Sequence, residues 1–436
     1  MPTAMYAALP VNHPLRLDLN NEVHARPPEA LKPPQLITYV ACISSADQSA
    51  RDWQHLAELA RHFGATFPTE PRSHISIDVG PIRLAYERHS EFARYAFIAR
   101  CNEAQPFKAA PLPELPDGWI KGLGGQLLIA TRIALIADRP ALHDLDAVAQ
   151  EHFAGNTLIG SVIGGETARA YTDLRIHADG YSRFLVVDKS MSPRQAGRMV
   201  QRLFEVDSYR MMALLGLPEA RRLWPILSGF ERDLEAIIAE VAKAEPSRHE
   251  ATLDRLIALE AAVQQQYTAT HYRFSASAAY HDLVGRRIDE LREDRIEGLQ
   301  TLREFTDRRL APAMSTCRTV AGNLDALSQR IARTTQLLST QVEVSREQQN
   351  RALLESMARR SKLQLRLQQT VEGLSVAAIT YYIVGLVAYA AKGISSITPY
   401  KFNADLAAGL SIPIIIAFVT YGIRSLRRRL HTEDKD

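Results

Sequence analysis

The first half of the chain consists of short runs rich in β-branched and apolar residues, which is the pattern of β-strands. The runs come in groups with turn residues between them, and they do not alternate strictly with helices. Such grouping favours an antiparallel α+β arrangement over a doubly wound parallel sheet. We therefore expect residues 1–190 to form a mixed α/β domain. The strand candidates are residues 35–44, 75–79, 82–88, 92–100, 127–137, 158–163, 169–176 and 183–188.

From residue 191 to residue 370 the apolar positions take up helical periodicity. Ser192 followed by Pro193 is the signature of a helix N-cap and first turn. The helices expected before the stalk are about 192–216, 218–244, 248–268 and 276–310.

A long stalk helix is predicted next, because neither Gly nor Pro occurs between Gly322 and Gly373. One helix of about fifty residues would be about 75 Å long and would run on into the following apolar segment. The near-heptad spacing of its apolar residues fits packing on helices of the same chain and a coiled-coil seam between subunits equally well. These residues are Leu324, Leu327, Ile331, Leu338, Val342, Leu353 and Met357.

Two apolar segments near the C-terminus predict a transmembrane hairpin over residues 371–424. The span 371–391 carries a single charge, Glu372, and roughly twenty such residues suffice to cross about 30 Å of hydrocarbon. The span 406–423 is shorter and contains Pro413. For this second segment a buried core helix is the alternative interpretation.

Arginines flank the hairpin at both of its outer ends, and positive charge marks the cytoplasmic side of a membrane. The first thirty residues lack the continuous apolar core of a signal peptide. We therefore expect a multi-pass protein of the bacterial inner membrane, in contact with the lipid bilayer, with both termini and the basic tail 425–436 in the cytoplasm. The flanking residues are Arg359, Arg360, Arg424, Arg427, Arg428 and Arg429.

Charge and cysteine content exclude several classes of partner. The 52 Lys and Arg residues nearly balance the 49 Asp and Glu residues, so the basic field that nucleic-acid binding requires is missing. Cys42, Cys101 and Cys317 are far apart and lack zinc-ligand spacing. We expect no nucleic-acid partner, no metal, no disulfide framework and no cofactor.

Several local motifs have a plain structural interpretation. The glycine clusters 122–125 and 160–165 lack the Gly-Lys-Ser/Thr ending of a P-loop, so we interpret them as turns or bulges of the sheet. The charged run 87–91 falls at the end of a predicted hairpin, where charges are normally solvated. Residues 173, 175 and 177 alternate in the same way along a predicted strand. No nucleophile–base arrangement emerges, and we therefore expect no enzyme.

Glu22, His24 and Arg26 alternate near the N-terminus, just before Pro27 and Pro28. In an extended segment alternate side chains project to the same side. Such a row would bind an anion or an acidic surface, or it would order the N-terminal arm through ion pairs; we favour the ordering role.

The first span carries a stripe of small or hydroxyl-bearing residues on one side. Small residues let helices in lipid approach closely, so tight packing between helices explains the stripe, and lining of a pore is the alternative. The stripe consists of Ser375, Ala378, Tyr382, Gly385 and Tyr389.

Four segments carry a resemblance to a bacterial family of uncharacterised membrane-anchored proteins, and the similarity extends over the whole length. These segments are residues 19–28, 86–92, 172–175 and 371–375. The architecture also resembles that of CorA-type divalent-cation channels, which implies an oligomer with the first span at its axis. Those channels carry Gly-Met-Asn after the first span, whereas this chain has Lys392-Gly393-Ile394-Ser395.

The leading functional hypothesis is a membrane-anchored, homo-oligomeric cytoplasmic module that acts in binding, sensing or organisation. A CorA-like channel or transporter, which would add an ion as a partner, is the alternative.

Overall fold

The computed structural model describes residues 12–24, 28–108, 112, 115–243, 249–397 and 404–433. The chain divides into two compact units. The first unit comprises Met1–Lys243 and Asp254–Thr335, and the second comprises Ala244–Leu253 and Gln336–Asp436. The domain boundaries expected from sequence were placed where the sequence pattern changes, whereas these units are defined by contacts within the fold. Those boundaries therefore stay predictions.

Nine strands form one sheet in the first unit, with spatial order β2-β3-β4-β1-β5-β8-β7-β6-β9. Only β5 and β8 run parallel; every other neighbouring pair is antiparallel. The expected α+β class is therefore confirmed. The strands are β1 (Gln35–Ile43), β2 (His74–Val79), β3 (Ile82–Arg88), β4 (Phe92–Arg100), β5 (Gln126–Ala137), β6 (Ile159–Ile163), β7 (Ala168–Thr172), β8 (Ser182–Asp188) and β9 (Asp294–Arg295).

Eight α-helices accompany the sheet in the part of the chain that the structure describes. They are α1 (Arg16–His24), α2 (Ser49–His62), α3 (Leu145–Phe153), α4 (Pro193–Leu214), α5 (Gly216–Lys243), α6 (His249–Leu291), α7 (Leu302–Ile397) and α8 (Ala404–Glu433). Short 3-10 helices occupy Ala46–Gln48, Ile120–Gly122 and Pro140–His143.

The sheet consists of two halves with the same spatial order of strands. Each half is a strand, a helix and three further strands: β1, α2 and β2–β4 in one, β5, α3 and β6–β8 in the other. The first half buries Leu56, Leu84 and Phe97 in its core, and the second buries Phe153 and Leu185. Strands β1 and β5 join the halves, which explains why most of their residues are buried.

Helices α6 and α7 run antiparallel in the first unit. The Thr335 hydroxyl donates to the Glu260 carboxylate at 3.1 Å, which fixes their register at one end. Buried positions recur every seven residues along α6, at Leu256, Val263 and Thr270 and onward to Leu291. A seven-residue repeat keeps one stripe of a helix against its neighbour over a long contact.

The start of α7 is held by two capping arrangements. Thr301 and Glu304 form a capping box, in which each side chain accepts a hydrogen bond from the backbone of the other. The Glu293 carboxylate accepts from the backbone N–H groups of Leu302 and Arg303 at 3.0 and 3.1 Å, and from the Ser161 hydroxyl at 2.6 Å. A carboxylate is favourable here because the helix N-terminus is electropositive.

The expected continuous stalk is confirmed, because α7 runs without a break through residues 323–370 and through the first apolar segment. Of the helices expected before it, 192–216 and 218–244 are confirmed as α4 and α5, whereas the limits 248–268 and 276–310 are wrong. Helix α6 continues through residues 269–275, and the chain breaks instead between Leu291 and Leu302. Arg292 and Gly298 adopt positive φ there. The chain leaves the helical conformation here because of this left-handed turn, and the capped Thr301 starts α7 anew.

Among the described residues one helix, α7, is long and apolar enough to cross a membrane by length and composition, and its apolar window is almost wholly exposed. The apolar stretch Gly409–Ile423 of α8 is shorter. Of the stalk residues expected to pack, those from Leu324 to Val342 are buried, whereas Leu353 and Met357 are each 59% exposed.

Candidate functional site

In the charged run at the β3–β4 hairpin, Glu87 is buried, Arg88 and Glu91 are half-buried, and all three are paired, so the expectation that these charges are solvated is wrong. We call Glu87, Arg88, Glu91 and Arg94 the hairpin cluster. The turn is short: the backbone N–H of His89 donates to the carbonyl of Phe92. Arg88, Glu91 and Arg94 each contact a segment far away in the chain, and such partners exclude the water that a solvated hairpin end would have.

One arm of the hairpin cluster is a chain of alternating charges from the sheet into the helices. Glu87 pairs with its cross-strand neighbour Arg94, whose guanidinium lies 3.9 Å from the Glu205 carboxylate on α4. Glu205 in turn pairs with Arg287 on α6, and Arg287 contacts Glu290 at 2.8 Å. Since the carboxylates of Glu87 and Glu205 are buried, each needs its guanidinium partner.

A second arm joins β3 to the N-terminal end of α2. Arg88 lies 3.3 Å from the Asp52 carboxylate and donates to the backbone carbonyls of Ser44 and Ser45 at 3.2 and 2.6 Å. Burial raises the pKa of Asp52, although the positive charge of Arg88 opposes that shift. Gly124 belongs to this arm, because a Cβ there would lie 2.6 Å from the Asp52 carboxylate.

A third arm reaches α6 directly. Arg273 donates to both carboxylate oxygens of Glu91, at 2.7 and 3.0 Å. Burial and the Glu91 charge raise the pKa of the neighbouring Tyr280. The three arms tie one hairpin to α2, α4 and α6, so the hairpin cluster acts as a clamp within the first unit.

Sequence reasoning missed this cluster because its partners are remote. Glu205, Arg273 and Arg287 lie more than a hundred residues from the hairpin and have no shared spacing. The sequence offers no signal for the cluster, because a dense run of charges between Tyr86 and Phe92 is equally typical of a solvent-facing turn.

A separate buried acid follows β7. The strand ends at Thr172, so the expectation that residues 173, 175 and 177 alternate along a strand is wrong. Asp173 accepts hydrogen bonds from the Asn156 amide at 2.8 Å and from the Arg175 backbone N–H at 3.1 Å. The His177 ring nitrogen lies 3.0 Å from the same carboxylate. This carboxylate therefore organises the loop that leaves the sheet.

The glycine clusters have the structural role expected of them. Gly164 and Gly165 adopt φ of +68° and +69° in the turn between β6 and β7. Gly125 has φ of +87°, and a Cβ there would lie 2.2 Å from the carbonyl oxygen of Ile43. Both requirements select glycine for conformation and space.

The N-terminal arm differs from its expected form. Glu22 and His24 lie in α1, so the extended segment that would align them is not present. Arg26 lies outside the described residues. The arm-ordering and ligand roles of these three residues stay predictions.

The arm is nevertheless held at Pro28–Leu31, immediately after this row. Leu31 is buried, and its N–H donates to the Pro193 carbonyl at 3.0 Å. Glu29 lies 3.3 Å from Arg83. Gly197 lets the arm pass, because a Cβ there would lie only 1.7 Å from the Glu29 carbonyl oxygen.

The residues of the predicted stripe all lie in α7. Tyr382 and Tyr389 are 71% and 80% exposed, while Thr380 and Ala391 on the other side of the helix are buried. Ser375 and Ala378 are exposed, and Gly385 is half-buried. The stripe is thus uncovered within the chain, and its role in packing or in a pore stays a prediction.

The membrane-flanking arginines fall in α7 and α8. Arg359 and Arg360 are exposed on α7. Arg424, Arg427, Arg428 and Arg429 lie on the described backbone of α8, and their side chains are outside the described part.

A groove of about 620 Å³ lies between α6 and α7 in the first unit, and we call it the helix groove. Its floor is apolar and buried, and its walls are polar and partly exposed. Floor residues include Phe274, Met314, Cys317 and Leu324; the walls include His271, Ser275, Ala278, Asp282, Arg318, Ala321 and Asp325. Among the described residues, no three His, Cys, Asp or Glu side chains come together as metal ligands would.

Comparison with known proteins assigns the chain to a family without assigning an activity. Residues 11–430 match the family model described as "Protein of unknown function (DUF3422)". No curated protein and no solved structure gives a significant match. Since the match covers nearly the whole length, the chain belongs to this family.

Proposed function

We propose that this member of the family is a membrane-anchored, homo-oligomeric module that works in the cytoplasm at the bacterial inner membrane, in binding, sensing or organisation. One observation carries the proposal. Helix α7 begins at a capped N-terminus beside β6 and continues without a break into an apolar segment whose side chains are almost all exposed.

A lipid bilayer is the environment that best accounts for this exposure. Burying apolar surface contributes roughly 25 cal/mol per Å², so a whole helical segment left in water would be strongly unfavourable. Leu374 and Leu386 are each 68% exposed, and on α8 Ile414 and Phe418 are 69% and 79% exposed. The two segments suit a hairpin whose basic ends, including Arg359 and Arg360, stay in the cytoplasm.

Association of several copies is the second part of the proposal. The uncovered stripe around Tyr382 and Gly385 supports it, because small residues and hydroxyls favour helix contacts in lipid. Exposed large apolar residues in the stalk, such as Leu363 and Leu367, give further surface that copies of the chain would cover.

Membrane extraction and mass measurement test both parts. Full-length protein should remain in the membrane pellet after alkaline carbonate washing, because an inserted hairpin resists this treatment. In mild detergent, light scattering should give a protein mass that is a multiple of 48.6 kDa. Release into the carbonate supernatant would overturn the anchor, and a monomeric mass would overturn the oligomer.

A CorA-like channel is the second candidate, and the uncovered stripe is the observation that favours it. If Tyr382 lined a conducting axis, Tyr382→Ala should change Mg²⁺ flux into proteoliposomes, whereas Tyr381→Ala, at an equally exposed position off the stripe, should not. Absence of Mg²⁺ flux above that of empty vesicles would remove this candidate.

A further inference from the structure

Four cations lie close together in the exposed part of α7, shortly before its apolar segment. Every side chain from residue 346 to residue 370 is exposed, and these four are among them. The sequence has no Asp or Glu between Glu355 and Glu372, so no acid is interspersed with the cations. We call the four residues the stalk patch; they are Arg359, Arg360, Lys362 and Arg366.

The stalk patch lacks the partners that other cations of the same helix have. Arg351 pairs with Glu347 at 2.6 Å, and Arg346 pairs with Glu250. In the part of the chain that the structure describes, no residue of the stalk patch has an ion-pair partner. Like charges three or four residues apart on a helix repel one another, and a negatively charged partner would relieve this repulsion.

Three of the four cations lie on one side of the helix. Arg359, Lys362 and Arg366 are three, four and seven residues apart, which is the spacing of neighbours on a helical face. Leu363 borders this side, and Leu367 follows one turn later; they are 65% and 67% exposed. Cations bordered by exposed leucines match a lipid surface, which offers phosphates to the cations and acyl chains to the leucines.

The place of the stalk patch along α7 sets its depth in the proposed membrane. At 1.5 Å per residue, Arg366 lies about 7.5 Å and Arg359 about 18 Å before residue 371, where the span begins. The headgroup layer on each side of the hydrocarbon is roughly 5–7 Å thick. The stalk patch therefore begins at the headgroup layer and ends about one Debye length beyond it.

We propose that the stalk patch binds the headgroups of anionic phospholipids on the cytoplasmic face of the membrane. The long side chains of Arg359 and Lys362 bend along the helix and carry their charges towards the headgroups. Guanidinium groups donate two hydrogen bonds to one phosphate. A choline headgroup has a phosphate too, but its own cation cancels the charge, so the stalk patch selects lipids with net negative charge.

Lipid titration of the full-length protein in detergent measures this selection. Native mass spectrometry counts the bound lipids while phosphatidylglycerol or phosphatidylcholine with the same acyl chains is added. Each cation near an anionic lipid surface contributes about fivefold in affinity, so the protein should bind phosphatidylglycerol at least about tenfold more tightly than phosphatidylcholine. Equal affinity for the two lipids would overturn the proposal.

Two triple variants locate the selection on the stalk patch. The stalk variant combines Arg359→Gln, Lys362→Gln and Arg366→Gln. The control removes three exposed cations of α7 in the first unit, also without an ion-pair partner among the described residues; it combines Arg318→Gln, Arg330→Gln and Arg333→Gln. The stalk variant should bind phosphatidylglycerol at least about tenfold more weakly than the control. Equal binding by the two variants would place the selection elsewhere and overturn the proposal.

Salt supplies a readout that needs no substitution. Raising NaCl from about 0.1 M to about 1 M shortens the Debye length from about 10 Å to about 3 Å. The preference of the unmodified protein for phosphatidylglycerol should therefore fall. A preference that does not change with salt would contradict the electrostatic origin and overturn the proposal.

Glycerol 3-phosphate distinguishes a lipid surface from a site for soluble phosphates. This probe carries the phosphate without acyl chains, so it should not displace phosphatidylglycerol at equal concentration. Displacement would show that the stalk patch binds soluble phosphates and would overturn the lipid assignment.

This inference rests on the proposed membrane anchor, and the two can fail separately. Protein that resists carbonate washing but binds both lipids equally would reject the headgroup site and leave the anchor in place. Release of the protein by carbonate would reject both.

Discussion

In the first unit the charged side chains of the hairpin cluster are largely buried in pairs, whereas in the outer part of α7 charged and apolar side chains alike are exposed. The carboxylates of Glu87 and Glu205 are within 10% of full burial, while Arg351 and Glu347 on α7 are 73% and 64% exposed. All side chains from residue 346 to residue 370 are exposed. The hairpin cluster is covered by other parts of the first unit, whereas no described part of the chain covers residues 346–370 of α7.

The two regions differ in how much each ion pair contributes to the stability of the fold. A buried pair holds two segments at one relative position, and removal of one partner leaves a charge without water or counterion. An exposed ion pair on a helix contributes little to stability, because both groups are hydrated whether or not they are paired. The same residue types therefore have unequal importance in the two regions.

The largest effect should come from the hairpin cluster. Glu205→Ala should lower the free energy of unfolding of the first unit by about 3–5 kcal/mol, because Arg94 and Arg287 lose their shared partner. Fluorescence-monitored denaturation of the full-length protein reports this, since Trp53, Trp119 and Trp224 all lie in the first unit. The matched control Glu347→Ala should change it by less than about 0.5 kcal/mol. Equal changes in the free energy of unfolding for the two variants would contradict the difference between the two regions.

The next prediction compares membrane insertion after a lysine is placed in the proposed span with insertion after a lysine is placed in the exposed stalk. Leu386→Lys should reduce the carbonate-resistant membrane fraction, because a lysine near the middle of a span costs about 3 kcal/mol in insertion. Leu365→Lys, at an exposed stalk position, should leave that fraction unchanged. If both variants inserted as well as the parent protein, the apolar window of α7 would not be a span.

A smaller effect should follow from crowding the N-terminal arm. Gly197→Ala would place a Cβ against the Glu29 carbonyl oxygen, so the arm must shift at a cost of about 1–3 kcal/mol. Thermal unfolding and protease cleavage ahead of Leu31 measure the two consequences. Gly229→Ala is the control in an open helical position, where alanine should be neutral or slightly stabilising. Equal stability of the two variants would show that the arm does not dock at Gly197.

The smallest effect is a pH dependence at Asp52. Burial raises its pKa in the folded protein, so the folded state holds this proton to higher pH than the unfolded state, whose pKa is near 3.8. The group therefore lowers stability as pH rises from about 4 through the raised pKa. Asp52→Asn should be more stable than the parent at pH 7, and this advantage should vanish below about pH 4. A variant less stable than the parent at pH 7 would mean that the pairing with Arg88 outweighs burial.

Much of the fold was readable from the sequence because the signals were local. The first run of β-branched residues became β1, and the absence of Gly and Pro after Gly322 predicted the continuous α7. The break between α6 and α7 also has a local signal in the sequence. Thr301 and Glu304 have capping-box spacing, and Gly298 precedes them.

Two local predictions, the solvated hairpin end and the extended N-terminal segment, were wrong for a different reason. Glu87 is buried because Arg94 and Glu205 meet it in three dimensions, and no spacing in the sequence joins Glu205 to the hairpin. Glu22 and His24 were aligned only by assuming an extended chain, whereas the local structure is a helix. Tertiary contacts decided the first case and backbone conformation the second.

In the topology that we propose, α7 and α8 each cross the membrane once and both termini lie in the cytoplasm. Reporter fusions placed after Asp436 and within residues 394–402, in the otherwise intact protein, test it directly. The account predicts cytoplasmic reporter activity after Asp436 and external activity within residues 394–402. An exported C-terminal reporter, or two reporters on the same side, would contradict it.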